Sequence, residues 1–181
     1  MTLTLDDFSG NWFEDVGWLH LTAYTYITTH SRSLFAKLKE EAIARSIPLS
    51  IDPSAAHLLR TNCDRDEVLE AFRGATVLSP NTDEAEYLTG EADPESAAAS
   101  LLELAETVAV TCGADGAYIA QRGRPTFSVE AQPATVSNTL GCGDAFAGGF
   151  IAALLKGKSL REAAGIAVAQ GAAAAQMASA R

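Results

Sequence analysis

The residues best placed to do chemistry are Gly141-Cys142-Gly143-Asp144, followed at once by an apolar stretch with Phe146, Phe150, Ile151, Leu154 and Leu155 on one side of a helix. Two glycines around one small residue let the chain turn tightly and present successive backbone N–H groups. At the start of a helix those groups lack internal partners and carry roughly half a unit of positive charge, so the turn can hold a phosphoryl group or a developing oxyanion. Asp144 beside it supplies a carboxylate able to act as a base. Asp is also among the best helix-capping residues, and Gly-x-Gly-Asp can serve as a plain strand-to-helix connection. These four residues alone leave both readings open.

Two further turns combine polar side chains with glycine. Asn81 and Glu84 lie where an apolar run at 75–78 ends and a helix begins, with Thr82 as the expected N-cap and Gly90 as the stop. Cys112-Gly113-Ala114-Asp115-Gly116 follows a strand at 108–111. Further strands are predicted at 16–21 and 48–51, the latter ending at Asp52-Pro53, and a hairpin pairs 117–120 with 126–129. Helices are predicted from Ser31 or Ser33 to Arg45, and over 66–72, 94–106 and 160–177. Strands alternating with helices imply an α/β fold: three layers, α/β/α and Rossmann-like, around a mainly parallel sheet whose ligands sit beyond the carboxyl ends of the strands. All three turns fall at those ends. No linker or internal repeat divides the chain, so residues 1–181 are read as one domain.

Composition narrows the partners. Thirteen basic against 23 acidic residues give a net charge of −10, and no Lys/Arg stripe could track a nucleic-acid backbone or an anionic membrane. Cys63, Cys112 and Cys142 are odd in number and widely spaced, which argues against a disulfide framework or a zinc site and fits a cytoplasmic protein. No apolar run reaches the roughly 20 residues of a membrane span. His20, His30 and His57 share no metal-ligand spacing and read as core or capping residues. A dinucleotide oxidoreductase or a P-loop enzyme is disfavoured, since neither an early G-x-G-x-x-G nor a G-x-x-x-x-G-K-[ST] occurs.

Taken together, the three turns resemble the ribokinase or PfkB family of sugar and nucleoside kinases. Asn138-Thr139-Leu140-Gly141-Cys142-Gly143-Asp144-Ala145-Phe146 is similar to the family's D-T-x-G-A-G-D-x-F signature, Asn81-Thr82-Asp83-Glu84 to its N-x-x-E motif, and Val110-Thr111-Cys112-Gly113-Ala114-Asp115-Gly116 to its V-T-x-G-x-x-G nucleotide loop. The resemblance implies a ribokinase-like fold and an ATP- and Mg²⁺-dependent transfer of phosphate to an alcohol of a small sugar-like or nucleoside substrate. Asp144 would be the general base, with the N–H groups of Gly141, Cys142 and Gly143 as anion hole. Asn81 and Glu84 would serve Mg²⁺ and the ATP phosphates. Thr111, Gly113, Ala114, Asp115, Gly116 and Gly143 would line the nucleotide, and Gln170 falls where the family places a residue near adenine. Cys142 takes the place of a small filler rather than of a catalytic thiol. Asn138 and Leu140 replace the family's Asp and frequent Thr, which weighs against a monovalent-cation requirement. The Gly-Gly sugar motif and the β-sheet lid of the family's N-terminal half have no counterpart, so the sequence reads as the ATP-binding and catalytic portion, truncated at the N-terminus. The alternative is an inactive fragment or subunit that keeps nucleotide binding or an assembly role. In either case an exposed sheet edge could support a homo-oligomer.

Overall fold

The computed structural model describes residues 8, 10–131 and 133–177. Six strands form one sheet in sequential order: β1 (Leu19–Thr22), β2 (Leu49–Asp52), β3 (Ala75–Leu78), β4 (Ala105–Thr111), β5 (Ala117–Gln121) and β6 (Phe127–Val129). The first four run parallel, and β4, β5 and β6 are joined by antiparallel pairings. Six α-helices lie between β1 and β4: α1 (Tyr24–Ile27) and α2 (Thr29–Ala44) before β2, α3 (Ala56–Asn62) and α4 (Arg65–Phe72) before β3, and α5 (Thr82–Thr89) and α6 (Pro94–Ser100) before β4. After β6 come α7 (Cys142–Leu155) and α8 (Leu160–Gln176).

Strand periodicity divides the sheet's side chains between two cores. In β4, Val108 and Val110 face one way with Phe35, Phe72 and Leu88, while Ala109 faces the other with Phe146 and Phe150. Burial on both faces is what a parallel sheet between helical layers requires, and it confirms the three-layer arrangement. Phe146 and Phe150 stack with centroids 5.9 Å apart and are nearly fully buried. Each contributes about 1.5–3 kcal/mol to holding α7 on the sheet. Small residues let α8 approach closely: a Cβ on Gly149 would lie 3.0 Å from Gln170 Cγ and 3.3 Å from Ala167 Cα.

Several boundaries differ from the sequence reading. The long helix begins at Thr29 behind Thr28, not at a Ser31 or Ser33 cap, because Thr28 adopts the extended conformation while Ser31 turns inward and its hydroxyl donates to Thr28 O. Asn81 rather than Thr82 caps α5. The helix expected over 94–106 stops at Ser100, passes through one 3₁₀ turn and gives way to β4, which pairs with β3 over residues 105–108 and with β5 over residues 107–111. The strand expected at 16–21 is Leu19–Thr22, and α3 occupies a polar stretch for which no helix is predicted. No helix among the described residues is long and apolar enough to cross a membrane.

Candidate functional site

At the end of β3 the chain enters α5 through a reciprocal pair of hydrogen bonds. Glu84 N–H donates to Asn81 Oδ1, and Asn81 N–H donates to Glu84 Oε2, both at 2.9 Å. This capping box satisfies two otherwise orphaned donors and fixes both side chains relative to the strand end. Glu84 is only 3% exposed. Burial first, then the charges of Asp52 and Asp83, push its carboxyl up from 4.5 to about 7, against the lowering effect of the Asn81 N–H. Thr111 at the end of β4 is tied to the same corner, its N–H donating to Pro80 O at 2.9 Å and its backbone bridging to Asn81.

Asp52 ends β2 and is buried, with Oδ1 accepting the Ser54 N–H at 2.7 Å and the Ser54 hydroxyl at 3.1 Å. Ser54 holds the left-handed backbone angle φ 57° that this turn needs. Burial raises the Asp52 pKa, the Ser54 donors oppose it, and the Asp144 charge adds to it. Sequence reading saw only a turn here, because an Asp before Pro is an ordinary strand stop and its burial follows from the sheet.

The start of α7 is built differently. Ser137 and Asn138 N–H groups donate to Ala175 O at the end of α8, and Asn138 Oδ1 accepts the Leu140 N–H at 3.0 Å. Gly141 then takes φ 82° as the N-cap, with no side chain capping the helix. A Cβ on Gly141 or Gly143 would meet nothing within 4 Å, so the first turn faces open space. Asp144, the third residue of the helix, is exposed and does not cap it.

These pieces surround one cleft of about 360 Å³, which contains Asn81, Glu84, Thr111, Gly141, Gly143 and Asp144, all singled out from the sequence. Asp52, Ser54, Ser79, Thr22 and Tyr24 line it as well. Cys142 lies outside the lining, its thiol beside Asn138 O at 3.8 Å. The turn Gly113–Asp115 and Gly116 also lie outside it, next to Thr111. Gly116 has φ 92°, and a Cβ there would fall 1.9 Å from Val129 O, so only glycine fits. Gln170 packs on Gly149 between α7 and α8. A larger hollow of about 440 Å³, lined by Tyr26, Phe35, Lys39 and Ile43 among others, is apolar and contains none of these carboxylates.

Among the described residues, no three His, Cys, Asp or Glu side chains stand close enough to form a metal cage. The cleft fits a cation that keeps most of its waters and takes one or two protein oxygens, which is how magnesium binds. The supporting observation is the buried Glu84 carboxyl in the cleft lining, whose charge a bound cation would offset.

The chain is similar to known proteins along most of its length. The 2-dehydro-3-deoxygluconokinase of Thermoproteus tenax is 31% identical over 170 residues, 91% of this chain and 50% of its own length. The ribokinase of Haemophilus influenzae is 36% identical over 127 residues, 65% of this chain and 37% of its own length. A ribokinase II of E. coli solved with ATP and Mg²⁺ superposes with TM-score 0.87 and 25% identity, over 97% of this chain and 57% of that one. This chain thus spans about half the length of the proteins it matches. The profile of the pfkB family carbohydrate kinases matches residues 6–181. With its glycine turn, its Asn-x-x-Glu corner and its sheet, the chain belongs to the pfkB family of carbohydrate kinases.

Proposed function

We propose that this chain carries the ATP-binding and catalytic part of a phosphotransferase acting on an alcohol group of a small sugar-like substrate. The observation that carries the reading is the convergence of Asn81, Glu84, Gly141, Gly143 and Asp144 on one cleft from separate segments of the chain. Asp144 accepts the proton of the acceptor hydroxyl as its oxygen attacks the γ-phosphorus; the bond to the bridging oxygen breaks and ADP leaves. The N–H groups at Gly141, Cys142 and Gly143, uncapped by any side chain, would stabilise charge on the transferred group, that of Cys142 while also donating to Thr139 O at 3.3 Å. Asn81 and Glu84 would hold Mg²⁺, which when bound would neutralise phosphate charge. Thr111 and the turn through Gly116 border the nucleotide, and Gln170 approaches its adenine end. A nucleoside acceptor is the nearest variant of this reading.

The free side of β1 adds a partner proposal. Leu19 and Ala23 N–H groups donate toward β2, so among the described residues the backbone groups of His20 and the Thr22 N–H face outward, where a second copy of the chain could pair; the Thr22 carbonyl already accepts the Thr25 hydroxyl at 2.6 Å. The rival reading is nucleotide binding without transfer. Calorimetric titration with ATP and Mg²⁺, followed by ADP release over a sugar and nucleoside panel, separates the two. Binding with turnover supports the phosphotransferase, binding alone supports its rival, and absence of binding rejects both.

A further inference from the structure

The single-turn helix α1 sends its two tyrosines to different places. Tyr26 is buried against Phe35, with ring centroids 5.4 Å apart. Tyr24 is 57% exposed and lines the cleft. The backbone that carries it is held at several points: Ala23 N–H donates to Asp52 O at 2.8 Å, Tyr26 N–H donates to Ala23 O at 2.8 Å, and the Thr25 hydroxyl donates to Thr22 O at 2.6 Å. The Tyr24 hydroxyl donates to Ser54 O at 3.4 Å, which ties the far end of the ring to the turn after β2. An aromatic side chain held at both ends loses little freedom when a ligand covers it.

Leu140 reaches the same cleft from the α7 side. It is 83% exposed and immediately precedes Gly141, the N-cap of α7. Among the described residues, Tyr24 and Leu140 are the only large apolar side chains that are both exposed and part of this lining. The ends of β2 and β3 contribute polar groups instead, among them Asp52, Ser79 and Glu84. Exposed apolar residues scattered singly are ordinary at a surface, but two that border one polar cleft give it the mixed lining of a small-molecule site.

Strand order separates the two ends of that cleft. Asn81 and Thr111 stand after β3 and at the end of β4, the nucleotide side of the proposed function, whereas Tyr24 follows β1. Strands lie about 4.8 Å apart, so β1 and β4 are about 14 Å from each other. Tyr24 therefore stands beyond the terminal phosphate, on the side from which an acceptor approaches Asp144. Resting on that reading, we propose that Tyr24 is the platform for the phosphate acceptor: one face of its ring packs against a ring of the acceptor, Leu140 packs on the same ring from the α7 side, and an acceptor in ring form is taken in preference to its open-chain counterpart. A ring offers a continuous C–H or π face to an aromatic surface, which an open chain of the same hydroxyls does not.

The test uses the chain deuterated everywhere except at its tyrosines, with D-ribose, D-fructose and adenosine as probes in the presence of Mg²⁺ and ADP. Of the four tyrosines only Tyr24 lines the cleft, so irradiating tyrosine ring protons is expected to saturate ring protons of at least one probe, and Tyr24→Ala is expected to abolish the transfer. Ribitol, the open-chain counterpart of D-ribose, is expected to receive less. In phosphate-transfer assays Tyr24→Ala should raise the acceptor KM about 3- to 10-fold with the ATP KM unchanged, and Tyr24→Phe, which keeps the ring, should stay within about twofold of wild type. Saturation reaching no probe, saturation that persists in Tyr24→Ala, ribitol saturated as strongly as D-ribose, or a rise in the ATP KM instead of the acceptor KM overturns the proposal. Transfer that proceeds with an unchanged acceptor KM in Tyr24→Ala removes this inference alone. Saturation that depends on Tyr24 in a chain that transfers no phosphate removes the phosphotransferase reading and leaves the ring platform standing.

Discussion

Glu84→Gln isolates the electrostatic cost built into the cleft. Glu84 is buried and its carboxyl stands at about 7 instead of 4.5. At about 1.4 kcal/mol for each tenfold change, that displacement amounts to about 3 kcal/mol. The sign follows from proton counting. Between pH 4.5 and about 7 the folded chain keeps a proton that the unfolded chain has lost, so stability falls as pH rises through this window. The full penalty is present above it. Glutamine mimics the protonated acid, since its amide oxygen can still accept the Asn81 N–H. The variant should match wild type near pH 4.5 and exceed it by about 3 kcal/mol at pH 8.5, about 6–12 °C in Tm for a chain of this size. Asp52 pushes the wild-type curve the same way, whereas His20, whose pKa is lowered, removes stability as pH falls below 6.5. The difference between variant and wild type cancels both. Calorimetric unfolding from pH 4.5 to 8.5 in EDTA is the assay. A difference that is flat with pH would refute the assignment of a costly buried carboxylate, and Mg²⁺ with ATP should narrow the gap if Glu84 serves the cation.

Three other outcomes are expected. Gly116→Ala must place a Cβ against Val129 O and hold a left-handed φ, so it should lose at least about 3 kcal/mol, read as a Tm fall of about 10 °C. Gly143→Leu enters open space with ordinary helical geometry, so stability should change by less than about 1 kcal/mol while ATP·Mg²⁺ affinity drops at least about tenfold by calorimetry. The outward edge of β1 should give concentration-dependent association in sedimentation velocity, weakened by Thr22→Pro; a strictly monomeric chain would remove that partner.

What could be read without coordinates was local. Gly90 ends α5 in a left-handed conformation, the hairpin forms around Arg122 to Pro125, and the corner from Asn81 to Glu84 lies where a strand meets a helix. Each is fixed by neighbours within a few residues, which sequence patterns record. The missed features depend on distant partners. Asp52 looks like a turn residue until Glu84 and Asp144 are set beside it. His20 looks like core until Ser50, 30 residues away, is seen to bond both its ring and the Trp18 indole. The Ala- and Leu-rich stretch after Pro94 has helical propensity throughout, yet residues from Ala105 are drawn into the sheet by β3 and β5. Tertiary pairing overrides propensity there.

The central claim is that Asp144 acts as the base of a phosphoryl-transfer cleft. Asp144→Asn preserves size and removes the charge of an exposed residue that makes no cap, so folding and ATP·Mg²⁺ binding should stay within about threefold of wild type. Single-turnover transfer of labelled γ-phosphate to the best acceptor should fall by about 10²- to 10⁴-fold. Transfer by Asp144→Asn at the wild-type rate would contradict the account.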